Sequence, residues 1–97
     1  MKVLLKPIGD LRDYLGREPQ ELLLADNAVL QDLLNAISER WGESLPPYLW
    51  DSGKKKFRGP VYFVVDNKVI RDLNTPLQDG VEVILLKALA GGSGARA

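Results

Sequence analysis

Residues 30 to 41 constrain this chain more than any other stretch. Leu30, Leu33, Leu34, Ile37 and Trp41 recur at i, i+3, i+4, i+7 and i+11, which is one apolar stripe along an α-helix. A lone amphipathic helix has no partner within itself, so the stripe has to be buried against another layer. The remaining apolar runs are short and β-rich: KVLLKPI (2–8), QELLLA (20–25), VYFVV (61–65), KVI (68–70) and VEVILL (81–86). The pattern predicts an α+β fold, a mixed sheet of about five strands with one main helix across one face.

Local signals place the joints. Gly9-Asp10 closes the first strand, and LRDYLG (11–16) reads as one helical turn stopped by Gly16. Val29 stands where a Ser or Thr cap is expected at the start of the long helix. Asp32 in the first turn compensates through the helix dipole, and Gly42 supplies the stop. Residues 43–60 read as a loop that packs down, because Trp50 and Phe57 lie among its prolines, glycines and lysines. Asp66-Asn67 is a two-residue hairpin turn, and DLNTPLQDG (72–80) is turn chemistry throughout.

Several classes of function fall away on composition. The chain has 97 residues, enough for one domain, with 13 basic and 13 acidic side chains. That balance leaves no electrostatic footprint for nucleic acid or an anionic membrane. No apolar run reaches the roughly 20 residues that span a bilayer, and MKVLLKPIGD is too broken for a signal peptide, so a cytoplasmic location is expected. Cysteine and histidine are both absent, which removes thiolate catalysis, Cys-based metal sites and the commonest general base. No catalytic residues, metal ligands or bound cofactor are expected. Asp10, Asp13 and Glu18 cluster without metal-ligand spacing. The composition suits a carrier or binding partner better than an enzyme.

The block VYFVVDNKVIRDLNTPLQDGVEVILLKALAGG (61–92) resembles the C-terminal half of the ubiquitin-like β-grasp sulfur carriers MoaD and ThiS, and of the archaeal small protein modifiers. KVLLKPIGDLRDYLG is similar to the opening strand and turn of that family, and LQDLLNAI to its amphipathic helix. The likeness rests on order and spacing over residues 1 to 92 rather than on any one motif. It implies a β-grasp domain over 1–87 and a flexible tail over 88–97. It also implies activation at a C-terminal diglycine, Gly91-Gly92, by an adenylating enzyme that consumes ATP.

Gly-Gly-Ser-Gly alone is linker composition. Its placement argues otherwise, since Gly92 lies six positions beyond Leu86, a reach of roughly 20 Å when extended. Where the family often carries two prolines after the last strand, this chain has Lys87-Ala88, so a looser tail is expected. While SGARA (93–97) remains attached, Gly92 has no free carboxylate; the expectation is a precursor cut between Gly92 and Ser93 by a processing protease. A vector-derived extension is the plainer account.

Strand alternation assigns Val3, Leu5, Val61, Phe63, Val65, Val83 and Leu85 to the helix-facing side. Leu4, Tyr62, Val64, Ile84 and Leu86 then fall on the other side as a candidate partner-binding patch. The competing expectation is that 43–60 folds over this patch with Trp50 and Phe57 against it. Trp41 is assigned to the core, and Lys54-Lys55-Lys56 to a solvated loop rather than to attachment points.

Three functions remain open. The first is a carrier holding sulfur as a thiocarboxylate for a molybdopterin-type cofactor, thiamine or tRNA thiolation, with the molybdopterin synthase large subunit as one partner. The second is a modifier joined to target lysines through Gly92. The third is an interaction module with an inert tail.

Overall fold

A computed structural model describes residues 1–87. Five strands form one mixed sheet: β1 (Lys2–Pro7), β2 (Gln20–Leu23), β5 (Val61–Val65), β6 (Lys68–Ile70) and β7 (Val81–Lys87). Their spatial order is β2-β1-β7-β5-β6. β1 and β7 are parallel, and every other neighbouring pair is antiparallel. The short helix α1 (Arg12–Leu15) follows a 3-10 turn, and the long helix α2 (Leu30–Trp41) covers one face of the sheet. Among the described residues, no helix is long and apolar enough to cross a membrane.

The α2 stripe explains the core. Leu30, Leu33, Leu34 and Ile37 are buried against Val3, Leu5, Phe63, Val83 and Leu85 of the sheet. Val61 and Val65 pack at the margin of the same cluster. Each fully buried aliphatic side chain contributes on the order of 1.5–3 kcal/mol, so this helix–sheet seam dominates stability. Trp41, assigned to the core by its spacing, is only partly buried: it ends the helix, and the Arg40 guanidinium lies 4.8 Å over its ring.

Helix α2 begins without a capping hydroxyl because remote carbonyls replace it. Leu30 and Gln31 donate their backbone N–H groups to Thr75 and Leu73, at 3.0 Å each. The Asp32 carboxylate accepts from the Val29 N–H at 2.8 Å. The turn-rich segment 72–77 thus satisfies the donors that every helix start leaves open, and Leu77 anchors it in the core. At the other end, Gly42 stops the helix for a different reason from the expected one. Its φ of −50° is ordinary helical backbone, but a Cβ there would collide with the Ser38 carbonyl. Close approach, not a left-handed turn, requires glycine.

The segment 43–60 is more ordered than a loop. β3 (Trp50–Asp51) and β4 (Lys56–Phe57) pair as a two-stranded sheet, with Trp50 opposite Phe57. Their rings meet edge-on at 4.8 Å, and Phe57 lies 6.2 Å from Phe63. Phe63 is on the helix-facing side, so the insert closes the main core and does not fold over the opposite face. The Tyr48 hydroxyl hydrogen-bonds that of Tyr14, tying the insert to α1. This bond, ahead of partial burial, pushes the Tyr14 phenol above its ordinary range.

Candidate functional site

The sheet order sets the geometry of the site. β7 lies between β1 and β5, and its last residue, Lys87, is held on two sides. Its backbone pairs with Val61, and its ammonium lies 3.5 Å from the Asp10 carboxylate. Asp10 sits on the 3-10 turn Gly9–Leu11, whose Leu11 is fully buried. The base from which the tail departs is therefore fixed to the core. Gly91, Gly92 and Ser93, the expected activation and processing positions, lie outside the described residues.

On the sheet face away from α2, the register builds apolar rows across the strands. Val64 is directly opposite Ile84, and Tyr62 is directly opposite Leu86. Such cross-strand neighbours have Cβ atoms roughly 4.5–5.5 Å apart, so the four form one surface. Leu4 is placed differently, between Glu82 of β7 and Glu21 of β2, and reaches Ile84 only diagonally. It marks the border of the patch rather than its centre. All five side chains are half-buried, because each shields the next.

Two further residues extend these rows. Val69, opposite Val64 on β6, is 46% exposed. Ile8 continues β1 in extended conformation beside Leu86, donates its N–H to Leu85, and is 40% exposed. The rows then read Ile84–Val64–Val69 and Ile8–Leu86–Tyr62. Lys6, opposite Ile84, borders one row, and Arg71, whose guanidinium lies 5.5 Å over the Tyr62 ring, borders the other. The second row runs directly to the base of the tail. Alternation alone finds Val69 once the two-residue turn fixes the hairpin register. Ile8 becomes visible only with the parallel β1–β7 pairing.

A cavity of about 530 Å³ lies between the end of α2 and the insert, lined by Ser38, Trp50, Asp51 and Arg58 among others. It shares no residue with β7 or the apolar rows. Asp51 there accepts backbone N–H bonds from Lys54 and Gly53 and faces Arg58 at 3.7 Å. The Lys54 bond, more than Arg58, holds its carboxyl below the usual carboxylate range. Among the described residues, no group of three or more acidic side chains could hold a metal ion.

A protein-family model, that of the ThiS family, matches residues 7–92. No curated protein matches by sequence. Among solved structures, the chain is similar to SAMP1 from Haloferax volcanii, with 16% identity and a TM-score of 0.74, over 95% of this chain and 100% of that one. It is also similar to a putative molybdopterin converting factor subunit 1 from Pyrococcus furiosus, with 21% identity and a TM-score of 0.71, over 92% and 99% of the two chains. A third likeness is to a chain in the complex of subunits 1 and 2 of the molybdopterin-converting factor from Helicobacter pylori. Here identity is 25% and the TM-score 0.59, over 95% and 100% of the chains. The fold shared with these proteins is the ubiquitin-like β-grasp.

Proposed function

The chain belongs to the ThiS family, and from that membership we propose that it is a carrier activated by adenylation at Gly92. Residues 93–97 are first removed by a processing protease cutting the Gly92–Ser93 bond. The freed carboxylate attacks the α-phosphorus of ATP on an activating enzyme, and pyrophosphate leaves. Sulfide then displaces AMP, leaving a terminal thiocarboxylate for a molybdopterin-type cofactor, thiamine or tRNA. With neither cysteine nor histidine in the chain, the activating partner supplies the catalytic groups.

The observation that carries this reading is where the family match stops. It ends at residue 92 of 97, on the second glycine of the pair and five residues short of the chain's end. Glycine suits the position, since it adopts any backbone conformation that a narrow enzyme channel imposes. The apolar rows beside β7 are the surface on which the activating enzyme docks, and a subunit of the molybdopterin synthase type is a second candidate for the same surface. Lys87, fixed by Asp10 and Val61, gives the tail a firm point of departure.

The test uses chain ending at Gly92, the activating enzyme and ATP, with pyrophosphate exchange and intact mass as readouts. Adenylation followed by the mass change of an oxygen-to-sulfur exchange is the expected result, and removal of Gly92 abolishes both. Accumulation of lysine adducts without a thiocarboxylate in the native cells would assign a modifier role instead. Exchange that is indifferent to Gly92 would leave an interaction module with an inert tail.

A further inference from the structure

A second apolar feature lies on the helix side of the sheet, away from the surface assigned to the activating enzyme. A cleft of about 260 Å³ opens between the N-terminal half of α2, strands β5 and β6, and the β3–β4 hairpin. Leu30, Leu34, Phe57, Phe63, Ile70 and Leu73 form its walls. Leu73, at its lip, is 44% exposed. The cleft is smaller than the roughly 300–1,000 Å³ of small-molecule sites, so it suits one or two aliphatic side chains better than a free metabolite.

Lysines gather around the cleft. Lys56 lines it, and Lys68, two residues before Ile70, lies on the same face of β6. Lys54 and Lys55 continue from Lys56 into the hairpin turn. None of these four lysines forms an ion pair among the described residues. Of the acids nearby, Asp51 is engaged with its own turn and Arg58, and Asp72 with the Asn74 N–H, while Asp66 lies in the β5–β6 turn two residues before Lys68. In a chain of zero formal charge, this is a segregated basic rim around an apolar slot. The sheet order ends at β6, so one edge of that strand has no partner among the described residues. Lysine on such an edge discourages indiscriminate strand pairing, while an acidic strand would meet no such penalty.

We propose that this cleft receives an extended acidic segment of a partner protein, with an aliphatic side chain in the slot and carboxylates on Lys56 and Lys68. The segment lies along the free edge of β6. This contact is separate from activation of the tail and does not depend on it.

The test titrates full-length, isotope-labelled protein with a blocked synthetic peptide whose run of isoleucine and valine is flanked by aspartates. The same peptide with lysines in their place is the control. Saturable amide shifts at Lys56, Phe63, Ile70 and Leu73, weakening as salt is raised, are expected. The double variant Lys56→Glu, Lys68→Glu changes only exposed side chains and should weaken binding about tenfold. Leu73→Asp should weaken it as well, and Ile84→Asp should leave it unchanged. Equal binding of the lysine peptide would overturn the proposal. So would shifts centred on Ile84 and Leu86, shifts that depend on protein concentration without peptide, or no saturable binding.

Discussion

Asp51 shows how one side chain can organise a segment that local sequence leaves open. Its carboxylate accepts from Lys54 and Gly53, which closes the hairpin turn, and Arg58 approaches from the far strand. Because the folded-state pKa is depressed, the ionised carboxylate contributes stability above the unfolded pKa. That contribution falls away as pH drops below the ordinary value of 3.8 and is gone once the folded group protonates. Asp51→Asn is therefore expected to be less stable than the parent at neutral pH. The gap in denaturant midpoint should narrow on acidification through that window, and a gap constant with pH would contradict the assignment. Gly42 carries a related lesson. The sequence marks a helix stop there, but only the folded chain shows that the cause is contact with the Ser38 carbonyl.

At the scale of elements, what could be read in advance depended on how local the cause was. Helix α2 has the bounds that its apolar stripe predicts, and the β5–β6 hairpin turns at Asp66 and Asn67, both in the left-handed region. These signals lie within a few residues of their effects. The β3–β4 strands were not legible, because their pairing is stabilised by Phe57 meeting Phe63 across the core rather than by alternation. The cap of α2 was equally hidden, since Leu73 and Thr75 lie more than 40 positions beyond the helix start. Phe57→Ala removes the ring joining Trp50 to Phe63 and should cost about 3–5 kcal/mol in chemical denaturation. A loss below about 1 kcal/mol would mean that the insert contributes little to the core.

Across the whole molecule, the two faces of the sheet are given to different tasks. The helix side holds the core and the insert, and the opposite side carries the apolar rows running to the base of the tail. Four of the five residues expected on that surface form its centre, because strand alternation is a strong constraint once one face is buried. Its outer members, Ile8 and Val69, needed strand order and register, which composition does not encode. Ile84→Asp places a charge at the middle of the rows. It is expected to raise the KM of the activating enzyme for the carrier at least tenfold while the melting temperature stays near that of the parent. Unfolding in place of weakened activation would make the rows a structural feature only.

The parallel pairing of β1 with β7 has a mechanical consequence. The chain enters the sheet through β1 and leaves it through β7, and these strands lie side by side and point the same way. A pull on the tail against the opposite end of the chain loads their hydrogen bonds in shear, so that all must yield together rather than open one by one. Unravelling the sheet from its C-terminal strand by force thus requires these bonds to break in concert.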